Sequence, residues 1–427
     1  MSVKVAFYFD NSRISEVDCR NVKDGNPGIG GTEYLFLLIS QLLTERNNGI
    51  TVTLLNTRQG LVADCLNVRL VKNIYDAYKY ADTQGYDFLV FRPSEGETFE
   101  DVLPTLHGST KLIPWCHNFL TYKQLAMYAK SSMVARIICV GREQMDLYMD
   151  LSAYDKSDYI YNCYDINDEI KQKVLNFPFE NRENIVAYIG SIVPAKGFHL
   201  LAKAWPKIEK QIPDAQLYVI GSGRLYDRTA TMGNFNIAEA SYEESFMSYL
   251  TENGMIKKNV HFMGIMGKEK ENILLRTKVG VPNPSGNTET FGLTALEFQY
   301  FGAKVVTKKC PGYLDTVYNG YLYLKENRIA PLIIKALKEK DSAYNDFTEQ
   351  FIPRFSTQLV LSNWENLFKE VKMSSHISLH LNDKLINPDF RLKRLKKWIH
   401  HINSDWTLGR IFPPVDRIYS VISKLYN

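Results

Sequence analysis

Cysteine is sparse and scattered. Six occur in 427 residues, at positions 19, 65, 116, 139, 163 and 310, and no two stand in Cys-x-x-Cys spacing. That pattern suggests neither a disulfide framework nor a zinc site, and it points to a reducing compartment. Long apolar runs are missing as well: none approaches the roughly 20 residues that a membrane-spanning helix needs. The opening residues MSVKVAFYFDN pass straight into an alternating strand with no basic leader and apolar core, so no secretory signal is expected and the chain is expected on the cytoplasmic side. A large excess of one charge is also absent. Lys and Arg number 51 against 47 Asp and Glu, a net +4, so whole-chain charge identifies no nucleic-acid partner. The first glycine loop does not match the dinucleotide pattern G-x-G-x-x-G, so a nicotinamide or flavin cofactor is not supported.

What is present is a globular composition, 45% hydrophobic, in a chain too long for one ordinary core. Short apolar runs at 3–9, 52–55, 88–91, 111–115 and 135–140 read as strands alternating with helix-compatible segments. The pattern restarts at 185–190, 216–220, 260–263, 279–281 and 304–307, with an amphipathic helix predicted over 198–212. Repeated strand and helix order implies mainly parallel sheets in an α/β fold. From 166 to 184 the sequence turns polar and its periodicity fades, so the connection between two domains is placed there. Ser356 is predicted to cap a last amphipathic helix, TQLVLSNWENLFKEV.

The chemistry concentrates in one stretch, VGVPNPSGNTETFGLTALEFQYFG, residues 279–302. A buried strand ends in Pro282, Asn283, Pro284, Ser285 and Gly286, and a helix is predicted to begin near Gly292 with its free N–H groups facing the loop, where Phe291, Gly292 and Leu293 are donor-binding candidates. Such an end attracts anions. Glu289 precedes the helix, and Glu297 lies about two turns further on at roughly 3.6 residues per turn, so both carboxylates can face one cleft. Backbone donors for phosphate beside acceptors for sugar and ribose hydroxyls suit a nucleotide-sugar site. The bland alternative is a solvated loop acid and an ordinary helix-surface acid, and the glycine and strand context argues against it.

Other candidates stand at strand ends. Gly30 and Gly31 form a glycine loop leading into an apolar helix, with Thr32 as its expected cap; the alternative is a tight turn with no ligand. His117 follows the strand at 111–115, where open α/β sheets bind ligands, and the alternative of a histidine satisfied within its loop weighs equally from position alone. Cys116 reads as packing rather than as a nucleophile. Lys196, in the loop after 185–190, is placed to neutralise a leaving diphosphate, against the alternative of one more surface lysine. Gly221 and Gly223 close the following strand.

These residues resemble a known family. Glu289-T-F-G-L-T-A-L-Glu297, preceded by Pro284-Ser285 and followed by Phe301-Gly302, looks like the E-x(7)-E motif of retaining glycosyltransferases of family 4, of the bacterial surface-polysaccharide type. The segment Gly190-Ser191 to Lys196-Gly197 resembles that family's G-R-x-x-x-x-K-G, with Ser191 standing where arginine is expected. Gly221-Ser222-Gly223 resembles its G-x-G turn, Trp115-Cys116-His117-Asn118 its strand-end histidine, and residues 159–165 its I-P-N-G-V-D segment, with Cys163 in place of glycine. The resemblance implies a GT-B fold of two Rossmann-like domains, 1–165 for the acceptor, completed by a crossing helix at 353–371, and 184–352 for the donor. It implies transfer from a nucleoside-diphosphate sugar to an acceptor hydroxyl with retention, with no cofactor and no essential metal; no DxD triplet stands beside a strand end. Lys196 and the backbone at Gly292 and Leu293 would then hold leaving phosphate, Glu289 the donor sugar, Glu297 the ribose, and His117 the reacting sugar.

Beyond residue 372 the chain exceeds the usual core. Residues 391–427 carry Arg391, Lys393, Arg394, Lys396, Lys397, Arg410, Arg417 and Lys424 against Asp405 and Asp416, interleaved with Trp398, Ile399, Trp406, Ile411, Phe412 and Tyr419. Basic and aromatic residues together suit an anionic bilayer surface; a solvated helix or a packing extension is the alternative, and nucleic acid is not expected without a binding motif. An acceptor that is a lipid-linked glycan, met peripherally at the inner face of the plasma membrane, follows as an expectation. The rival readings are a soluble transferase making a storage glycan or small glycoside, and a non-catalytic sugar-nucleotide-binding scaffold.

Overall fold

Strand Val3–Phe9 is apolar at six of its seven positions, and all six are buried, the pattern of a strand covered on both faces. In the computed structural model it lies inside a seven-stranded parallel sheet. The structure describes residues 2–93, 99–165, 167–224, 231–373, 390–405 and 415. The chain groups into two units, one of residues 1–16, 36–161 and 361–427, the other of residues 17–35 and 162–360.

In the first unit the strand order is Asn67–Leu70, Ile50–Asn56, Val3–Phe9, Phe88–Phe91, Lys111–Cys116, Ile137–Cys139 and Ser157–Tyr159, all parallel. The order reverses between Val3–Phe9 and Phe88–Phe91. The edge strands Asn67–Leu70 and Ser157–Tyr159 escape sequence reading, the former because no position in it is buried and no alternation marks it. An aromatic cluster fills one face: Phe7 meets Phe36, Trp115, Trp364 and Phe368 edge-on, and Phe88 stacks on Phe368. Trp364 and Phe368 come from the predicted last helix, Thr357–Lys372. Its cap is Ser356, whose Oγ accepts from Leu359 N at 3.4 Å.

The second unit repeats the design with six parallel strands, in the order Val260–Gly264, Gln216–Ile220, Ile185–Ile189, Thr277–Gly280, Lys304–Lys308 and Gly320–Tyr323. Its order reverses between Ile185–Ile189 and Thr277–Gly280, so the loops after those two strands stand side by side at the carboxyl edge of the sheet. Helix Phe198–Gln211 covers one face with Phe198, Leu201, Ala202, Trp205 and Ile208, all buried. Residues 166–184, read as a connection without periodicity, carry helix Asp168–Leu175. With only Ile170 and Val174 buried in eight residues, its period is too short to register. Thr32 likewise is no cap: helix Gly31–Arg46 already contains it.

The C-terminal helix Phe390–Asp405 packs on the first unit through two lysines. Lys393 Nζ meets Glu143 Oε1 at 2.7 Å and Asp146 Oδ2 at 2.5 Å, while Lys396 Nζ donates to the Leu147 carbonyl at 2.9 Å. Both are buried, so these two cations of the basic tail are held by protein and not offered to a bilayer. Trp406, Arg410, Ile411, Phe412, Asp416, Arg417, Tyr419 and Lys424 lie outside the described residues, as do the side chains of Arg391 and Asp405. Among the described residues no helix is long and apolar enough to cross a membrane.

Candidate functional site

Two loops build the centre of the second unit. The first follows strand Ile185–Ile189 and holds Gly190, Ser191 and Lys196; the second follows Thr277–Gly280 and ends at helix Leu293–Tyr300. Lys196 Nζ lies 3.2 Å from Glu289 Oε2, across 93 positions of sequence, and the same oxygen accepts from Asn283 Nδ2 at 2.9 Å. Ser285 Oγ, 2.6 Å from the Ala195 carbonyl, ties the two loops together beside that pair. The ammonium and the carboxylate are both partly covered, with 21% and 14% of their side chains exposed, so water weakens but does not cancel their attraction.

The helix predicted near Gly292 begins at Leu293, with Gly292 as the preceding residue at φ 86°. Its N-cap residue, being glycine, has no side chain to accept from the first turn. A Cβ on Gly292 would stand 2.6 Å from the Tyr313 ring, so the left-handed turn and the aromatic wall both require glycine. Phe291, buried, packs edge-on against Phe355 at 5.6 Å. Glu297, one turn into the helix, pairs with Lys270 at 2.8 Å. Tyr34 and Tyr164 stand close enough that its charge adds to the effect of burial in raising their hydroxyls above the ordinary tyrosine range.

The glycine turns after Ile185–Ile189 and Gln216–Ile220 meet each other. Gly221, at φ 140°, approaches Gly190 so closely that a Cβ there would fall 1.9 Å from the Gly190 carbonyl oxygen. Gly190 N in turn donates to the Ile220 carbonyl at 3.0 Å, and Gly223 N to the Ile237 carbonyl at 3.0 Å. Ser191 is buried beside that turn, its Oγ 3.4 Å from the Ser222 carbonyl and its own carbonyl accepting from Tyr188 Oη at 2.8 Å. Gly30 accepts Tyr34 N through its carbonyl at 3.0 Å, and beside Gly31 a Cβ would meet open space.

His117 belongs to the first unit. Its ring lies 4.4 Å from Trp115 and 5.7 Å from Phe36, centroid to centroid. Burial first, and the Arg92 charge second, lower its pKa to about 3, so at neutral pH it is an uncharged hydrogen-bonding group. Cys116 is buried and its thiol pKa is raised by burial, which fits packing and not nucleophilic attack.

Sequence reading brings out Lys196, Glu289 and Glu297 but not their partners Asn283 and Lys270, because ordinary polar residues at unremarkable spacing announce nothing. It also misses Gln144. This wholly buried amide donates to the Cys116 and Asn118 carbonyls at 3.0 Å each and accepts from Val140 N at 3.0 Å, fixing the backbone on both sides of His117. Among the described residues no group of three or more His, Cys, Asp or Glu gathers as a metal site.

Residues 169–351 match the family described as Glycosyl transferases group 1. Two curated proteins are similar in sequence. Granule-bound starch synthase 1 of Zea mays is 24% identical over 183 residues, 40% of this chain and 27% of its own length. Poly(glycerol-phosphate) alpha-glucosyltransferase of Bacillus subtilis (strain 168) is 20% identical over 236 residues, 53% of this chain and 32% of its own. The chain therefore spans about a third or less of these relatives. Among solved structures, Anabaena Alr3699/HepE, in complex with UDP and glucose, has a TM-score of 0.60 at 15% identity over 86% of this chain and all of that one. Such a likeness shows the fold, which is GT-B.

Proposed function

We propose that this chain, with its group 1 glycosyltransferase segment at residues 169–351, moves a sugar from a nucleoside-diphosphate donor to an acceptor hydroxyl with retention at the anomeric carbon. The observation that carries the proposal is the Lys196–Glu289 pair, set at the reversal point of the sheet beside a helix start whose N-cap is glycine. A cation, free N–H groups and a carboxylate within one loop pair match the needs of diphosphate and sugar together. In the proposed reaction the bond from anomeric carbon to diphosphate oxygen breaks with its electrons going to phosphate. Lys196 leaves Glu289 for the developing charge, joined by the backbone N–H groups of Gly292 and Leu293. Glu289 accepts from donor-sugar hydroxyls and Glu297 from the ribose, Gly190, Ser191, Gly221, Gly223, Gly30 and Gly31 line the donor's path, and neutral His117 steadies the transferring sugar. The acceptor oxygen bonds the same face of that carbon, and its proton leaves with the diphosphate. No step is given to a metal or a cofactor.

A lipid-linked glycan at the cytoplasmic membrane face, in surface-polysaccharide synthesis, is the acceptor class proposed. The relative named for poly(glycerol-phosphate) favours a polymeric acceptor, and the one named for starch synthesis favours the rival storage glycan. The test is a thermal-shift and turnover panel of UDP, GDP, ADP, CMP and their sugar conjugates, since a ligand bound only by the folded state raises its apparent stability. One selective nucleoside diphosphate, its shift lost in Glu297→Ala, with an α-linked product from an α-linked donor, supports the reading. Binding without transfer or hydrolysis makes the chain a sugar-nucleotide-binding scaffold, and no shift at all removes the donor site.

A further inference from the structure

Helix Phe390–Asp405 is amphipathic in an inverted sense. Its lysines at 393 and 396 point inward, 6% and 2% exposed, onto the carboxylates of Glu143 and Asp146 and the Leu147 carbonyl. Ile399 is buried with them, and His400 Nε2 lies 3.0 Å from Asp155 Oδ1. These contacts fix the rotation of the helix about its axis. Its large apolar side chains are thereby left outward, with Leu392 39%, Leu395 44% and Trp398 56% exposed, at three-residue spacing along one flank. Arg394 and Lys397, also exposed, stand beside that flank.

The burial of Lys393 and Lys396 is matched by Glu143, Asp146 and the Leu147 carbonyl, whereas an outward indole and two leucines forgo part of their transfer energy while the flank faces water alone. The arrangement becomes favourable when the outward flank meets a medium that is apolar within and anionic at its surface. An indole and leucines entering the headgroup boundary, with a guanidinium and an ammonium at the phosphate level, fit an anionic bilayer. We propose that Leu392, Leu395 and Trp398, with Arg394 and Lys397, form the surface by which this chain docks peripherally on anionic lipid. The proposal rests on the membrane-face reading of the acceptor and adds which side chains make the contact: not the basic tail as a whole, since Lys393 and Lys396 are held by Glu143 and Asp146.

The experiment is flotation of the full chain with vesicles of phosphatidylcholine alone and of phosphatidylcholine mixed with phosphatidylglycerol. Wild type floats with the anionic vesicles. Leu395→Gln with Trp398→Gln weakens binding roughly tenfold or more, because two apolar side chains no longer leave water. Arg394→Gln with Lys397→Gln weakens it roughly fivefold per charge and removes the preference for anionic lipid. Melting temperatures are taken on the same samples and only variants that keep the wild-type value are scored, so the charge pair serves if the apolar pair folds poorly. Wild type remaining in solution with both vesicle types overturns the proposal. So does a concentration-dependent dimer abolished by the apolar pair, which assigns the flank to a second copy. Donor binding is measured on the same samples: flotation without donor binding sinks the transferase reading and leaves the docking face standing.

Discussion

Lys270 Nζ stands 2.8 Å from Glu297 Oε1, an ion pair between residues 27 positions apart, one ending the short 3-10 helix Lys268–Lys270 and the other in helix Leu293–Tyr300, both mostly covered. It holds the carboxylate proposed for ribose in one orientation before any donor arrives. Replacing Lys270 by Met leaves the acid in place and removes its orientation. Donor KM is expected to rise about three- to tenfold with kcat within about twofold, read from initial rates with the donor varied. A lower KM would mean that Lys270 competes with the donor instead of positioning its acceptor.

Gln144 gives a prediction of another kind. Its amide serves three backbone groups around the His117 loop, and Gln144→Leu takes a buried hydrogen bond from the Val140 N–H and from the Cys116 carbonyl and a half-buried one from the Asn118 carbonyl. Stability should drop by about 2–4 kcal/mol in denaturant titration, with kcat falling as well because the histidine loses its frame. Unchanged stability would show that the loop satisfies itself.

The pH dependence follows from His117, whose pKa the fold lowers to about 3. The unfolded chain takes up a proton near pH 6.5, while the folded chain refuses it until about pH 3, so the stabilisation is complete above the unfolded value and drains as pH falls between the two. The slope from this one group approaches about 1.4 kcal/mol per pH unit inside that window. His117→Gln should flatten the stability profile by that amount, and an identical profile in both proteins would place the protonation elsewhere.

Two glycines should behave oppositely. At Gly221 a methyl group would strike the Gly190 carbonyl at 1.9 Å from a backbone at φ 140°, so Gly221→Ala should cost more than about 3 kcal/mol and abolish donor binding. Gly31 opens onto space at a helix start, so Gly31→Ala should leave stability within about 0.5 kcal/mol of wild type. Paired melting curves decide it, and equal losses at both sites would contradict the crowding argument.

Lys196→Ala should lower kcat by about a hundred- to a thousandfold with little change in melting temperature, since its partner Glu289 keeps the Asn283 hydrogen bond. Turnover equal to wild type removes Lys196 from the reaction.

Much of this was written along the chain. Apolar runs ending in breakers located ten of the sheet strands, Gly292 marked a helix start, and the spacing of Glu289 and Glu297 announced a two-acid loop and helix, because strand burial, turns and caps are decided within a few residues. The edge strand Asn67–Leu70 and the short helix Asp168–Leu175 went unread because too few of their side chains are buried to leave a period.

What the fold alone decided is who meets whom. Lys196 reaches Glu289 because the sheet order reverses between Ile185–Ile189 and Thr277–Gly280, bringing loops 93 positions apart to one edge. Gln144 becomes the keeper of the His117 loop only because strand Lys111–Cys116 pairs with Ile137–Cys139. In helix Phe390–Asp405 the sequence offers long cationic and long apolar side chains on every side, and it is the carboxylates of Glu143 and Asp146, folded beneath it, that pull lysine inward and turn Trp398 out. Local sequence fixes which elements form, since their energies are local; the partners of a charge are set by packing between distant segments, which no single period records.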